Sequence, residues 1–240
     1  MMKQITKIDV QPMLNEIDDS LWEPIGGPEG ARTHGKAWIG TEVQTFIRHV
    51  EYSGTQANDL QYSPCEYETP LDDLCLPGFR PTNALFLYPE AMKTLVWFAT
   101  TYGGKYARVQ CFRTPPGVGV KVHVDAQPDK FGPNPYYNRL YGDRNPANKT
   151  LFYYKKDRVH VIIDGSFELT VDYEEEDRLY EHPITSSHFV SPVTKVWSKG
   201  EVWWFNNKKP HKSYNHGNIP KINLVIDIEG ATIPNVNTDA

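Results

Sequence analysis

The sequence has few of the features that mark membrane, secreted or nucleic-acid-binding proteins. Only 3 of its 240 residues are cysteine, an odd and sparse set that argues against a disulfide scaffold and favours a reducing compartment. No apolar run approaches the roughly 18–20 residues that span a bilayer, and residues 1–7 open no apolar signal segment. The formal net charge of −5 argues against a basic face for nucleic acid. These absences predict a soluble cytoplasmic protein with no nucleic-acid or membrane partner.

The length of the chain suits one large domain, residues 1–240, made of an N-terminal elaboration (1–105), a core (106–229) and a tail (230–240). The N-terminal part contains turn-rich stretches and one clear helix over residues 89–101. Pro89 at its first turn and the glycine pair at 103–104 are typical of a helix start and end. An apolar stripe predicts that this helix packs against the outside of a sheet; its members are Met92, Leu95, Val96 and Ala99.

The core carries the alternation of apolar and polar residues that is typical of half-buried β-strands. Residues 120–125, 158–163 and 166–173 alternate in this way, and residues 221–228 read as the last core strand. Between the second and third of these segments, Asp164-Gly165 is a favoured two-residue turn and predicts a β-hairpin. The core is therefore predicted to be mainly β.

A possible metal site is formed by His123-Val124-Asp125 together with the distant His211. Residues at i and i+2 of a strand point to the same face, so His123 and Asp125 can bind one metal ion together. Two histidines and a carboxylate with open positions form the ligand set of non-haem Fe(II) oxygenases. The alternative for each is a plain role: a surface pair for His123 and Asp125, and a capping or surface residue for His211.

These elements, taken in order, resemble the aspartyl/asparaginyl β-hydroxylase-like family of Fe(II)/2-oxoglutarate-dependent dioxygenases over roughly residues 105 to 229. The matching pieces are Pro116-Gly117 before His123-x-Asp125, Arg158-x-His160, Gly200-Glu201 with Phe205, His211-x-x-x-Asn215, and Lys221 with Ile226-Asp227. The resemblance implies a double-stranded β-helix, a cupin-like jelly-roll of antiparallel strands with buttressing N-terminal helices.

The resemblance also implies roles for individual residues. His123, Asp125 and His211 would be the ligands of Fe(II) and form the catalytic centre. Arg158 and His160 would lie near the C1 carboxylate of the co-substrate 2-oxoglutarate.

Lys221 stands where the family usually carries an arginine that receives the distal carboxylate. Lysine offers one compact charge instead of a two-pronged fork, which is a departure from the family pattern.

The implied function is an Fe(II)- and 2-oxoglutarate-dependent dioxygenase that uses O2 to hydroxylate a free amino acid or an amino-acid residue in a protein. One alternative is a cupin-type metal protein, an isomerase or hydrolase with Zn or Mn, which would need no carboxylate-binding set of Arg158, His160 and Lys221. Another is a non-enzymatic binding module on the same fold. The aromatic, proline-rich segment 126–157 is predicted to be a substrate-facing wall or lid, or else a surface excursion packed on the barrel.

Overall fold

The structure, a computed structural model, describes residues 2–18, 22–24, 33–40, 68–76, 80–81, 85, 88–124, 157–173 and 184–233. The predicted wall at 126–157 lies outside these residues except for Asp157, and the predicted tail is described as far as Ile233. Within the described part of the chain, no helix combines the length and apolar character that a membrane span requires.

Strands predominate over helices. The helices are α1 (Gln11–Glu16) and α2 (Pro89–Tyr102), with short 3-10 turns at Asp72–Leu74 and Ser186–His188. The strands are β1 (Met2–Lys7), β2 (Trp22–Pro24), β3 (Thr33–Gly40), β4 (Arg80–Pro81), β5 (Lys105–Thr114), β6 (Gly119–His123), β7 (Asp157–Asp164), β8 (Ser166–Asp172), β9 (Pro192–Ser198), β10 (Glu201–Phe205), β11 (His211–Tyr214) and β12 (Lys221–Glu229).

The strands form two antiparallel sheets that face each other. The large sheet has the order β1-β10-β7-β12-β5-β3-β2, with β4 beside β3, and the small sheet has the order β6-β11-β8-β9. From β5 onward the chain visits the sheets in the sequence large, small, large, small, small, large, small, large. This winding is the double-stranded β-helix that the resemblance implies, and it identifies the fold as a mainly β, cupin-like jelly-roll.

The turn at Asp164-Gly165 does not make a hairpin, so this prediction is wrong. β7 belongs to the large sheet and β8 to the small one, so the turn carries the chain from one sheet to the other. Gly165 has a φ of +68°, and a Cβ atom on it would lie 2.8 Å from the carbonyl oxygen of Pro220. β7 and β8 show the alternation of apolar and polar residues that the two strands of a hairpin would show, because in either arrangement each strand has one buried face.

Helix α2 is confirmed and lies against the outer face of the large sheet. Its buried residues are Ala91, Leu95, Phe98 and Ala99. Met92 and Val96, which belong to the predicted stripe, are only partly buried and lie at the margin of this contact. The contact face is thus rotated towards Phe98, whose aromatic ring contributes a large apolar area to the helix–sheet interface.

The short helix α1 supports the start of α2. The Glu16 carboxylate accepts hydrogen bonds from the backbone N–H groups of Glu90, at 2.8 and 3.0 Å, and of Ala91, at 3.3 Å. These N–H groups belong to the first turn, where a helix has no internal acceptors and carries a partial positive charge. A residue far away in sequence therefore caps α2, and the two helices form one buttress.

The described residues form two apolar cores. One lies between the helices and the outer face of the large sheet and includes Val159, Val161, Leu224 and Ile226. The other lies between the two sheets and is built largely from aromatic rings; its members are Met2, Ile162, Phe167, Leu169, Val171, Trp197, Trp203 and Phe205. On β7, Val159, Val161 and Ile163 belong to the first core and Ile162 to the second, so the even-numbered positions of this strand face the space between the sheets.

Candidate metal centre

His123 and His211 lie side by side on neighbouring strands of the small sheet. His123 is the last residue of β6, His211 is the first residue of β11, and the two are register partners. Their ring centres are 4.2 Å apart, with an angle of 53° between the ring planes. His211 is also the register partner of Val171, a member of the core between the sheets, so the pair faces the interior. The structure therefore brings together two of the three predicted metal ligands, which are 88 positions apart in sequence by subtraction of their numbers.

The strand that carries His123 is less regular than the sequence pattern predicts. Three steps along β6, from Val120 to His123, are matched by two steps along β11, from Ser213 to His211. This extra residue is a β-bulge, a feature that often redirects a side chain beside a functional site. The strand ends at His123, and Asp125, the third predicted ligand, lies outside the described residues.

The protein backbone fixes the orientation of both imidazole rings in the same way. Nδ1 of His123 lies 2.8 Å from the carbonyl oxygen of Lys121, and Nδ1 of His211 lies 2.9 Å from that of Lys209. A carbonyl oxygen only accepts, so Nδ1 carries the proton and the lone pair of the neutral ring lies on Nε2. This tautomer and this second hydrogen bond are typical of histidines that bind a metal ion through Nε2.

The spacing of the two rings fits a shared metal ion. Metal–nitrogen bonds of about 2.1 Å at about a right angle would place two imidazole ring centres about 4.5 Å apart, close to the observed 4.2 Å. Among the described residues, no group of three or more histidine, cysteine, aspartate or glutamate side chains is arranged to hold a metal ion. The pair alone can supply two ligands, and a complete site needs at least one more from elsewhere in the chain.

Arg158 and His160 share the inner face of β7. Val159 and Val161 lie on the opposite face, which packs against the helices. Arg158 is buried, and its Nε donates to Oδ1 of Asp227 at 2.7 Å. The two are register partners on β7 and β12, so the ion pair lies within the large sheet. Asp227 thereby balances the charge of Arg158, whose predicted contact with the C1 carboxylate of a co-substrate stays a prediction.

His160 lies among aromatic rings in the core between the sheets. Its ring centre is 5.3 Å from that of Phe205 and 5.5 Å from that of Trp197. The ring centre of Phe205 in turn lies 4.9 Å from that of His211, so one aromatic ring contacts both His160 and a member of the histidine pair. On the other side, Nδ2 of Asn223 lies 3.0 Å from Nδ1 of His160. His160 is thus close to the candidate metal centre and linked to it through Phe205.

Lys221 begins β12 and points into the jelly-roll. It is buried, and its Nζ lies 3.9 Å from the ring centre of Phe167, which belongs to the core between the sheets. A cation over an aromatic face is stabilised by the ring quadrupole, which offsets part of the cost of removing the ammonium from water. The structure therefore places the Lys221 ammonium group inside the barrel.

The sequence analysis did not consider Asn223, and it named Asp227 as part of the family pattern without its contact to Arg158. Both lie on β12 at even spacing from Lys221, whereas Ile222, Leu224 and Ile226 lie on the opposite face. This period of two was readable in the sequence and could have identified Asn223 and Asp227 as inner-face residues.

Asn215, from the family pattern, has a structural role. Its Nδ2 donates to the carbonyl oxygens of Thr114 and Ile219, and its Oδ1 accepts from the N–H of Gly217. Asn215 therefore ties the loop after β11 to the end of β5.

Comparisons with known proteins add little to this geometry. No family model matches the chain, and no curated protein matches it significantly. Among solved structures, oxalate decarboxylase from Bacillus subtilis, which has Mn(II) centres, shows 15% identity and a TM-score of 0.30 over 51% of this chain and 21% of that chain. Oxalate decarboxylase from Lactobacillus farciminis in its formate complex shows 13% identity and a TM-score of 0.30 over 51% of this chain and 24% of that chain. The chain matches less than a quarter of the length of these enzymes, and the fold assignment rests on the strand order given above.

Proposed function

We propose that the protein is an Fe(II)- and 2-oxoglutarate-dependent dioxygenase that hydroxylates an amino acid, either free or as a residue of a protein. The proposal depends mainly on the pair His123 and His211. Their rings are adjacent in space, and both Nδ1 atoms form hydrogen bonds to backbone carbonyl oxygens. Asp125, two residues after His123, would complete the set of two histidines and one carboxylate that such enzymes use.

The second support is the positive charge inside the barrel. A site for 2-oxoglutarate must hold a carboxylate at some distance from the metal, and Lys221 supplies a buried cation for that purpose. Phe167, Trp197 and Phe205 form a continuous row of contacting rings, an aromatic wall that runs from Lys221 to His211. An apolar wall excludes water and strengthens the attraction between the ammonium and a bound carboxylate.

In this proposal the chain has three tasks. The backbone carbonyls of Lys121 and Lys209 hold both imidazole rings with the proton on Nδ1, so that the Nε2 lone pairs would be left for the metal ion. Lys221 orients the co-substrate, and the aromatic wall keeps the interior dry. Bound Fe(II) would supply the reaction of O2 with 2-oxoglutarate, in which one oxygen atom enters succinate, CO2 leaves, and the other oxygen atom enters a C–H bond of the substrate.

One observation favours a second candidate, a cupin-type metal protein with Mn or Zn that performs no oxygen chemistry. Arg158, which the family pattern assigns to the co-substrate, forms a buried ion pair with Asp227 inside the protein. A site of this second kind needs the histidine pair but no receptor for a carboxylate, so the arginine can be purely structural.

The test is the release of succinate from 2-oxoglutarate by anaerobically purified protein that is given Fe(II), O2 and panels of amino acids and peptides. The proposal predicts succinate formation that needs Fe(II), rises with the correct substrate and is lost in His211→Ala. Protein that binds metal but forms no succinate above a metal-free control, with or without any panel member, would favour the second candidate.

A further inference from the structure

A cluster of buried polar atoms without partners lies deep in the jelly-roll, beside Lys221. Within the described part of the chain, Nε1 of Trp197 and Oδ1 of Asn223 are buried and have no hydrogen-bond partner. Trp197 is fully buried, and Asn223 is 1% exposed. Buried polar atoms in native proteins nearly always have a partner, so an orphaned pair in one cluster suggests that a ligand completes it.

The cluster is continuous with the positive charge. The ring centre of Phe167 lies 5.2 Å from that of Trp197, and Nζ of Lys221 lies 3.9 Å from the Phe167 ring centre. Asn223 lies two residues after Lys221, on the same face of β12, and contacts His160, whose ring packs edge-on against Trp197. A cation, an indole N–H and a primary amide therefore belong to one set of contacting side chains in the interior.

The amide of Asn223 can serve as a donor to an anion. Turning it by half a rotation directs the NH2 group into the cluster and the carbonyl oxygen towards Nδ1 of His160. A neutral imidazole can then place its proton on Nδ1 and donate to that oxygen, so the contact between the two side chains is kept. With this adjustment Lys221, Trp197 and Asn223 each offer a donor within this cluster, and a charged donor together with neutral ones is the combination that recognises a carboxylate.

We propose that Trp197 and Asn223 act together with Lys221 as the receptor for the distal carboxylate of the co-substrate. The three residues would make the site prefer a dicarboxylic 2-oxo acid to a monocarboxylic one. This inference rests on the proposed function and assigns two specificity-determining residues that the family pattern does not contain.

The experiment measures the affinity of Mn(II)-loaded full-length protein for 2-oxoglutarate and for pyruvate, by calorimetry without O2. Pyruvate keeps the 2-oxo acid end but has no distal carboxylate. In Trp197→Phe the affinity for 2-oxoglutarate should fall about tenfold, the effect of losing one hydrogen bond to a charged group, and the affinity for pyruvate should not change.

The matched control is Trp203→Phe. Trp203 stacks on Trp197 at 5.2 Å, but its Nε1 already donates to Oε2 of Glu201 at 2.9 Å. This variant loses the same indole from the same stack and should keep the preference for 2-oxoglutarate. Asn223→Asp is a second variant, which keeps the proposal testable if Trp197→Phe does not fold. It places a carboxylate beside Lys221 and should weaken 2-oxoglutarate binding by at least about tenfold, again without an effect on pyruvate.

The outcomes separate the inference from the proposed function. If the wild-type protein prefers 2-oxoglutarate, Lys221→Ala loses this preference, and Trp197→Phe and Asn223→Asp keep it, then the inference is overturned while the proposed function stands. If the wild-type protein binds Mn(II) but neither 2-oxo acid, both are overturned. A selective loss of 2-oxoglutarate affinity in Trp197→Phe or in Asn223→Asp, with Trp203→Phe unchanged, supports the inference.

Discussion

At the scale of the residue, the candidate site depends on how the backbone holds two side chains. Each histidine donates from Nδ1 to the carbonyl oxygen two residues before it, Lys121 for His123 and Lys209 for His211. The same local contact thus occurs at a strand end and at a strand start. Because it fixes the tautomer before any metal ion arrives, the rings need little reorganisation on binding.

His211→Ala should abolish tight Fe(II) binding while the domain stays folded. The side chain is buried, but a shortened residue at a strand start leaves the backbone pairing of β11 intact. Loss of a partner that only orients a ligand weakens metal binding by about 10–100-fold, so loss of the ligand should weaken it by more. The measurement is anaerobic Fe(II) titration together with circular dichroism.

The control for that variant is His216→Ala. The side chain of His216 is 63% exposed and lies 3.7 Å from Glu168 on the protein surface. This substitution removes an imidazole without touching the pair and should leave Fe(II) affinity unchanged. Stoichiometric Fe(II) in His211→Ala would refute the role given to His211.

Asp227→Asn should destabilise the protein strongly. It leaves Arg158 buried without its carboxylate, and breaking a buried ion pair in this way costs about 3–5 kcal/mol. Glu90→Gln is the comparison, because the ion pair of Glu90 with Lys93 lies at the surface, where such pairs contribute about 1 kcal/mol or less. Urea denaturation measures both, and equal losses of unfolding free energy would contradict this account of Arg158.

At the scale of the element, the jelly-roll depends on corners that carry the chain from one sheet to the other. Gly165 between β7 and β8 and Gly200 between β9 and β10 both have positive φ, +68° and +83°. A Cβ atom on Gly165 would lie 2.8 Å from the Pro220 carbonyl oxygen, and one on Gly200 would lie 2.8 Å from that of Ile8. At both corners a side chain would therefore collide with neighbouring backbone, and the backbone conformation is one that residues other than glycine rarely adopt.

Gly165→Ala and Gly230→Ala separate these two effects. Both glycines have positive φ, but a Cβ atom on Gly230 would meet nothing within 4 Å. Gly230→Ala should cost about 1–2 kcal/mol of unfolding free energy for the left-handed conformation alone. Gly165→Ala should cost clearly more, because the backbone around Pro220 must also move. If denaturation shows the same loss for both variants, the close approach at Gly165 has no energetic weight.

The sequence predicts elements better than it predicts their connections. The helix at residues 89–101 and the strands around residues 158–163 and 166–173 follow from local periodicity, which the folded chain keeps. The hairpin at Gly165 was wrong because a positive φ marks a sharp turn without saying which sheet receives the next strand. The Glu16 cap on α2 and the ion pair of Arg158 with Asp227 join residues 74 and 69 positions apart, beyond the reach of local patterns.

At the scale of the whole molecule, the large sheet separates two interiors of different character. The layer against the helices is largely aliphatic, with a few aromatic side chains such as Phe98, and contains the buried thiols of Cys75 and Cys111, whose pKa values are raised by burial. The layer between the sheets contains aromatic rings, the two candidate metal ligands and the buried Lys221. The first layer stabilises the sheet, and the second contains the candidate active site.

The thiol of Cys75 predicts a loss of stability at alkaline pH. Burial, with a smaller contribution from Asp72, raises its pKa from 9.0 to about 12. Below about pH 9 both the folded and the unfolded chain keep the proton, so the contribution of this thiol to stability is fully present. Above that pH the unfolded chain loses the proton first, and stability falls until the folded pKa is reached.

The comparison with Cys75→Ala isolates this effect from other titrating groups. The stability advantage of the wild-type protein over the variant should shrink by about 1.4 kcal/mol between about pH 8 and about pH 10. Denaturation curves at the two pH values measure it. An advantage that does not change with pH would show that the Cys75 thiol loses its proton equally well in the folded chain.

We propose above that the jelly-roll holds Fe(II) on His123 and His211 and binds 2-oxoglutarate beside it. An anaerobic titration followed by visible absorption tests this most directly. Fe(II) is added to metal-free protein first, and 2-oxoglutarate second. We expect one Fe(II) per chain and a new visible band on addition of 2-oxoglutarate, absent in His211→Ala and present in His216→Ala. Bound Fe(II) with no new band would contradict the dioxygenase proposal and favour the cupin without oxygen chemistry, and no bound Fe(II) would contradict the metal centre itself.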